Sequence, residues 1–385
     1  MDDLVGATWR KDETLGDYIE RSGISRRQFL TYCSEIAALL GLSSLMAPQI
    51  AEALQAARRP SVLWLQFQGC TGCVESILRS ESPTIGDLVL RQISLDYNRT
   101  IQAAAGAQAL AALRQAAEEN DGNYILAVEG AISTKDGGIY DCAGGITARE
   151  ELEEFVPGAA AVLAVGACAH FGGWPAASPN PTGAVGVPAV VKDKPVVVIA
   201  GCPPIGDVIT ATVVHYMTFG QLPELDLQRR PKFAYGARIH DQCPRRAHFN
   251  AGQYVETFDD DAARKGWCLY KMGCKGPETY SPCPLIAWNG TTKWPIAAGH
   301  PCFGCTEPFF WDTMTPIYSR LPRVSGFGVE RTADMIGAAI AVGVTAGVAA
   351  HAVATGIQRG RQLKSTRVYE ETRETPGAGD SESEG

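Results

Sequence analysis

The spacing of cysteines constrains this chain more than any other feature of its sequence. Ten of its twelve cysteines, together with one histidine, fall into three groups. The groups are Cys70-x2-Cys73 with Cys168 and Cys202, His240-x2-Cys243 with Cys268-x5-Cys274, and Cys283 with Cys302-x2-Cys305. Close pairs completed by distant single cysteines are typical of iron–sulfur ligands. Three such groups in one chain indicate a row of redox centres that moves electrons across a protein.

Disulfides and zinc are the alternatives to this interpretation. An export-like leader, described below, would permit disulfides. However, a chain of 385 residues with 45% apolar residues can bury a core without cross-links, and its cysteines cluster in pairs. Four thiolates also suit zinc, but structural zinc sites usually use two close pairs. The first group instead ends in two single cysteines far along the chain, so the sequence favours iron–sulfur clusters.

The net charge argues against one class of partner. The chain has 34 Lys and Arg against 42 Asp and Glu, which gives a formal charge of −8. Nucleic-acid phosphates are bound by basic surfaces. We therefore expect no nucleic-acid partner.

Four apolar runs predict buried parallel strands, at Ser61–Phe67, Tyr124–Val128, Ala161–Val165 and Val196–Ala200. Helical stretches separate them, notably Ile101–Glu119, which is rich in alanine and leucine. Alternating strands and helices predict an α/β fold with a doubly wound parallel sheet.

Three of the predicted strands end within three residues of Cys70, Cys168 or Cys202. In open α/β sheets, ligands bind outside the carboxyl ends of the strands. We therefore expect Cys70, Cys73, Cys168 and Cys202 to converge around one 4Fe–4S cluster, in a domain that spans residues 60–222.

Residues 223–328 have a different composition, with more prolines, glycines and aromatics and few periodic runs. Such a segment needs metal to organise its fold, and we expect an irregular iron–sulfur domain here. One predicted ligand set comprises His240, Cys243, Cys268 and Cys274. An imidazole in place of a thiolate makes a cluster less anionic and raises its potential, which suits an exit near the surface.

The third ligand set has only three thiolates, from Cys283, Cys302 and Cys305. Three thiolates indicate a 3Fe–4S cluster, or a 4Fe–4S cluster with an outside ligand. Pro295 lies between Cys283 and Cys302, where a fourth ligand would be expected, and proline cannot ligate metal. Of the remaining cysteines, Cys142 is predicted to be an ordinary thiol.

Residues 1–55 have the pattern of a twin-arginine export signal, with Ser25-Arg-Arg-Gln-Phe-Leu30 before an apolar stretch at Ile36–Pro48. We expect cleavage between Ala47 and Arg59, which would remove Cys33. This route exports folded proteins, as a chain with cofactors inserted in the cytoplasm requires. A surface helix that happens to hold two arginines is the alternative.

Residues 335–357, from Met335 to Ile357, contain no charged side chain and are long enough to span a bilayer. Four basic residues follow, which predicts a cytoplasmic end with the body of the protein outside; they are Arg359, Arg361, Lys364 and Arg367. A buried core helix is the alternative. His351 lies within the span, where it would face a partner or pack between helices. Residues 358–385 are predicted to be a cytoplasmic tail that is disordered from about Val368.

Together these motifs resemble the small subunit of a membrane-bound, respiratory nickel–iron hydrogenase, over nearly the whole chain. The matching motifs are the S-R-R-x-F-L leader, C-T-G-C-x-E at Cys70–Glu75, G-x-C at Cys168, G-C-P-P at Cys202, H-x2-C-x24-C-x5-C from His240, and the Trp294–Cys305 run.

The resemblance implies a flavodoxin-like first domain and three clusters. The proximal set, a 4Fe–4S site, would be Cys70, Cys73, Cys168 and Cys202. The medial set, a 3Fe–4S site, would be Cys283, Cys302 and Cys305, and the distal set, a 4Fe–4S site, would be His240, Cys243, Cys268 and Cys274. Cluster subunits of the complex I type share the first domain but lack the region from His240 to Cys305, which argues against that rival.

The resemblance also implies partners. A large subunit would hold the Ni–Fe centre that splits H2, so no catalytic residue is expected in this chain. Glu75 would lie at the interface with that subunit. Electrons would leave to a membrane cytochrome b or another quinone-linked subunit at the bacterial inner membrane, with the body on the periplasmic side.

Two departures from the family pattern carry expectations of their own. Oxygen-tolerant relatives have two extra cysteines around the proximal cluster, at positions that correspond here to Gly72 and Gly173. We therefore expect a four-cysteine proximal cluster and sensitivity to oxygen. Many relatives also place an acidic residue before the first cysteine, where this chain has Gly69.

Overall fold

The computed structural model describes residues 13–56, 59–81, 84–87, 93–288, 294–321 and 329–373. The chain divides into two compact units, Met1–Arg323 and Val324–Gly385.

A five-stranded parallel sheet forms the centre of the first unit. Its strands are β1 (Ser61–Gln66), β2 (Ser94–Asn98), β3 (Tyr124–Glu129), β4 (Ala159–Val165) and β5 (Val196–Ile199). They lie in the order β2-β1-β3-β4-β5, and every pairing is parallel. This is the strand order of flavodoxin-like sheets, so the predicted parallel α/β sheet is confirmed.

The sequence analysis missed β2 and placed one helix too early. The β2 sequence Ser-Leu-Asp-Tyr-Asn alternates in polarity because the strand lies at the sheet edge and is only partly buried. The helix predicted from Ile101 begins at Gly106. The Asn98 side chain accepts hydrogen bonds from the backbone amides of Thr100 and Ile101, which holds these residues in a turn.

Helices cover both faces of the sheet and continue into the second half of this unit. The longer ones are α1 (Leu15–Ser22), α2 (Arg26–Leu39), α3 (Ala47–Ala56), α4 (Gly72–Leu78), α5 (Gly106–Glu119), α6 (Ala148–Phe155), α7 (Gly166–Phe171) and α8 (Gly206–Phe219). Helical turns of three to five residues lie at Ser44–Met46, Ile85–Asp87, Lys135–Gly138, Trp174–Ala176, Val187–Val190, Lys232–Tyr235, Ile239–Gln242, Arg246–Asn250, Asp261–Arg264, Tyr270–Met272, Gly276–Glu278 and Phe310–Thr313. The strands Cys142–Ala143 and Ile146–Thr147 form a small hairpin.

The region after residue 222 shares the core of the sheet. Ile239, Leu269 and Trp294 belong to the same buried cluster as Val62 and Leu126. Its described helices are only three to five residues long, in keeping with the scarcity of periodic runs in the sequence.

Helices α1–α3 build a second core. Leu15, Ile36 and Leu54 are almost fully buried there, and they pack with Ala211 and Val214 of α8. Helices α1–α3 therefore form a layer packed on α8, which the sequence analysis did not foresee.

The second unit contains a helix that runs from Val329 to Arg373. Its segment Ile336–Lys364 contains an 18-residue window with a mean hydropathy of 1.9 and is long and apolar enough to cross a membrane. None of its most apolar window is buried, which disfavours a soluble core helix. The helix extends past Val368, where disorder was predicted, and residues 374–385 lie outside the described residues.

Candidate metal centres

The four cysteines of the proximal set lie together at the carboxyl edge of the sheet. Cys70 follows β1, Cys73 lies in the first turn of α4, Cys168 lies in α7 directly after β4, and Cys202 follows β5. Burial raises the pKa of Cys73 well above its usual value, and Glu129 and the other three thiols raise it further. The strand ends thus bring together thiols that are far apart in sequence, as predicted.

Glycines leave room beside these thiols. A Cβ on Gly166 would lie 2.4 Å from the Cys73 Sγ, and a Cβ on Gly173 would lie 2.4 Å from the Cys168 Sγ. Both glycines have positive φ, +91° and +53°. A Cβ on Gly72 would lie 3.2 Å from the nearest thiol of the set. The sequence analysis placed the two extra cysteines of oxygen-tolerant relatives at Gly72 and Gly173. Both glycines border the proximal set.

Glu129 is a buried carboxylate behind the proximal set that the sequence analysis missed. It is 3% exposed and accepts hydrogen bonds from the Cys73 backbone amide at 3.0 Å and from the Trp64 indole at 3.2 Å. An acidic residue that ends an otherwise apolar strand was the available signal. Glu75, which was singled out, is exposed and lies 3.8 Å from Arg79.

The distal set surrounds a space of about 340 Å³ that His240, Cys243, Cys268 and Cys274 all line. His240 is 8% exposed and packs edge-on against the ring of Phe249. Burial, reinforced by a neighbouring arginine, lowers the pKa of His240 to about 4. The imidazole is therefore neutral at physiological pH, which is the form that binds metal.

The medial set surrounds a second space of about 290 Å³, lined by Cys283, Cys302 and Cys305. Pro295 contributes to the same wall. Ile239 lines this space and also the distal one, so its side chain borders both.

Burial, with smaller contributions from neighbouring thiols, raises the pKa of Cys168 and Cys268 to about 12 and that of Cys274 to about 11. Metal ligation needs the thiolate, so metal binding here must displace protons. Among the described residues, no three His, Cys, Asp or Glu side chains converge on the position of a single ion. The donors of the distal and medial sets instead line two separate pockets, and thiolates with one imidazole are iron–sulfur donors.

Two cysteines and four histidines of the first unit are not assigned to any of the three sets. Cys142 is exposed on the hairpin, and Cys33 is fully buried in α2. His170 follows Cys168 by two residues and is 3% exposed; burial lowers its pKa to about 3. The imidazoles of His215, His248 and His300 contact Gln221, Gln253 and Tyr318, respectively.

The twin arginines lie at the start of α2. The side chain of Ser25 caps this helix and exchanges hydrogen bonds with Gln28. Arg26 and Arg27 are exposed, whereas Phe29 is buried in the core shared with α8.

Two family profiles match successive parts of the chain. The profile of the 20 kDa subunit of NADH ubiquinone oxidoreductase matches residues 70–216, and that of the C-terminal part of NiFe/NiFeSe hydrogenase small subunits matches residues 235–318. The second match covers the distal and medial sets.

Individual proteins match over most of the chain. The uptake hydrogenase small subunit of Azotobacter vinelandii is 51% identical over 347 residues, which cover 90% of this chain and 97% of that protein. The hydrogenase-1 small chain of Escherichia coli K12 is 45% identical over 351 residues, covering 91% and 94%. A solved NiFeSe hydrogenase chain from Desulfomicrobium baculatum has a TM-score of 0.64 at 36% identity, covering 69% of this chain and 100% of that one.

Proposed function

This chain belongs to the small-subunit family of nickel–iron hydrogenases, and we propose that it is the electron-transfer subunit of a membrane-bound uptake hydrogenase. The large subunit of such an enzyme holds the Ni–Fe centre, where H2 yields protons and electrons. The task of this chain is therefore to bind and orient redox cofactors. The observation that carries the proposal is the convergence, within one compact unit, of three donor sets that are spread over residues 70–305.

Each donor set is assigned one cluster. The proximal set would hold a 4Fe–4S cluster, the medial set a 3Fe–4S cluster, and the distal set a 4Fe–4S cluster. When bound, the clusters would carry single electrons from the large subunit to a membrane cytochrome b or another quinone-linked partner. Pro295 in the wall of the medial space supports the three-ligand assignment, because it supplies no donor.

Exposure supports the assignment of the proximal end of the relay, and charge supports that of the distal end. Cys70 is the most accessible of the proposed ligands, and Glu75 is exposed close to it, so this edge of the sheet is assigned to the large-subunit interface. The medial ligands Cys283 and Cys302 are buried. The neutral His240 in the distal set reduces the negative charge there, which favours electron arrival at that end.

The two termini support a location at the bacterial inner membrane. The twin-arginine leader would export the folded, cofactor-loaded chain, and the helix that contains Ile336–Lys364 would enter the lipid bilayer. The basic residues after Ile357 favour a cytoplasmic tail, with the body on the periplasmic side.

Purification from membranes with the large subunit retained tests this function. We expect brown material with iron, acid-labile sulfide and a 3Fe–4S EPR signal after oxidation, and nickel in the co-purifying polypeptide. Cys302→Ala should remove the 3Fe–4S signal, while Cys142→Ala, at an exposed cysteine outside the sets, should retain it. Colourless material that contains zinc would overturn the proposal.

A further inference from the structure

Lys275 is a buried cation between the distal and medial ligand sets. It follows the distal ligand Cys274 directly, and its backbone amide donates a 2.7 Å hydrogen bond to the carbonyl of the medial ligand Cys302. The residue is 2% exposed. A lysine is almost never buried to this extent unless its charge has a partner.

The ammonium of Lys275 is held by backbone carbonyls. It donates to the carbonyl of Ser319 and lies 3.5 Å from that of Pro316. None of the ion pairs found among the described residues includes Lys275, and the neighbouring Glu278 is exposed to solvent. Carbonyl dipoles orient the ammonium, but they do not neutralise it.

A second buried cation, Arg230, shows how a buried positive charge is usually neutralised, by pairing with carboxylates. Arg230 is also 2% exposed, but it pairs with Glu307 at 3.0 Å and with Asp226 at 2.8 Å. A buried charge without a counter-charge costs several kcal/mol. The charges that act on Lys275 come from the thiol of Cys274, the solvent-exposed Glu278 and the thiol of Cys302. The two buried groups among them, Cys274 and Cys302, belong to two different ligand sets.

We propose that the Lys275 ammonium is the shared counter-charge of the distal and medial clusters and raises the reduction potential of both. The inference rests on the proposed function. A thiolate-bound cluster carries net negative charge and gains one more negative charge when it accepts an electron. A fixed cation therefore stabilises the reduced form more than the oxidised form. No bond forms or breaks, and the electron comes from the neighbouring cluster.

Redox titration of the holoenzyme, monitored by EPR, tests the inference. Lys275→Met and Lys275→Gln should both shift the midpoint potentials of the medial and distal clusters to more negative values, and Lys275→Arg should retain them. Lys271→Met is the matched control, because Lys271 pairs with the exposed Glu256 and should change neither potential. The proximal cluster serves as an internal reference.

The outcomes separate the two proposals. Wild-type protein without iron, sulfide or EPR signals would overturn the proposed function itself. Unchanged medial and distal potentials in a Met or Gln variant with wild-type iron content would overturn only the role of Lys275. If both neutral variants fail to assemble these clusters while Lys275→Arg assembles them, the requirement for charge is supported. Failure of all three variants would show that Lys275 acts through its size, and would overturn the inference.

Discussion

Arg230 lies in the loop after α8 and connects this loop to the segment that carries the medial ligand Cys305. Its guanidinium donates to the carbonyl of Thr306, directly after Cys305, and pairs with Glu307. Glu307 also accepts a 2.7 Å hydrogen bond from the backbone amide of Tyr280. The buried ion pair between Arg230 and Glu307 thus links the residues directly after Cys305 to the segment at Tyr280.

Arg230→Met should lower the free energy of unfolding by about 3–5 kcal/mol, because it leaves Glu307 buried without its cation. The double variant Arg230→Met/Glu307→Gln should recover part of this loss, since no buried charge is stranded. Arg264→Met breaks an exposed pair with Asp261 and should cost less than about 1 kcal/mol. Denaturation of the purified complex measures all three, and equal losses in the first and last variants would contradict the assignment.

Gly173→Ala should specifically damage the proximal site. The added Cβ would lie 2.4 Å from the Cys168 Sγ in a backbone conformation that alanine rarely adopts. We expect loss of about four of roughly eleven iron atoms, with the medial EPR signal retained. Gly145→Ala imposes the same kind of backbone strain with nothing within 4 Å of the new Cβ, and should keep its iron. Full iron content in the Gly173 variant would contradict this prediction.

The sequence points to the proposed ligands but not to the residues that contact them from behind. CxxC and HxxC spacing marks donors because neighbouring ligands can bind the same metal site. Glu129, Arg230 and Lys275 carry no such mark. Their contacts join residues that are 56, 77 and 27 positions apart, so only folding reveals them.

At the scale of elements, helices α1–α3 form a layer on α8. Leu54 in α3 is fully buried in their shared core, whereas Glu52 in the same helix is exposed. Phe29 of the twin-arginine motif is buried in this core, so an export receptor that reads Phe29 would require the layer to open.

Leu54→Asp should detach this layer from α8, because a buried carboxylate costs roughly 3 kcal/mol or more. Limited proteolysis should then cleave within residues 13–56 at least tenfold faster, while the iron content stays at the wild-type level. Glu52→Ala should leave the cleavage rate unchanged. Equal protease resistance in both variants would show that the layer does not depend on this core.

The predicted ends of the strands agree with the observed ends where the strands are completely buried. The strands that are buried on both faces were recognised from apolar runs, within two residues at each end. The edge strand β2 was missed because its pairing with β1, rather than its own composition, makes it a strand. Asn98 delays the start of α5 through side-chain hydrogen bonds that propensity does not include.

At the scale of the whole molecule, the proposed membrane span of the C-terminal helix predicts where the enzyme is found. Val344→Arg places a charge within the apolar window and should weaken insertion by about 2.5–3.5 kcal/mol. We expect much of the H2-dependent dye reduction to move from the membrane to the soluble fraction. Val344→Ile is the matched control and should remain membrane-bound. Full membrane retention of the arginine variant after carbonate washing would contradict a spanning helix.

The glycines at positions 72 and 173 also predict how the complete enzyme responds to air. With four proximal cysteines and no additional thiol, we expect H2 oxidation to stop on exposure to oxygen. Protein-film electrochemistry measures this directly. Sustained H2 oxidation current in air would refute the prediction.

The sequence by itself determined the donors, the parallel α/β architecture, the apolar span and the family, because each depends on residue type at short or regular spacing. The tertiary structure alone decided which charges face those donors, how the second half of the first unit shares the core of the sheet, and that the leader packs on α8. These features arise from contacts between distant segments, where burial makes a single unpaired charge costly and so selects its neighbours.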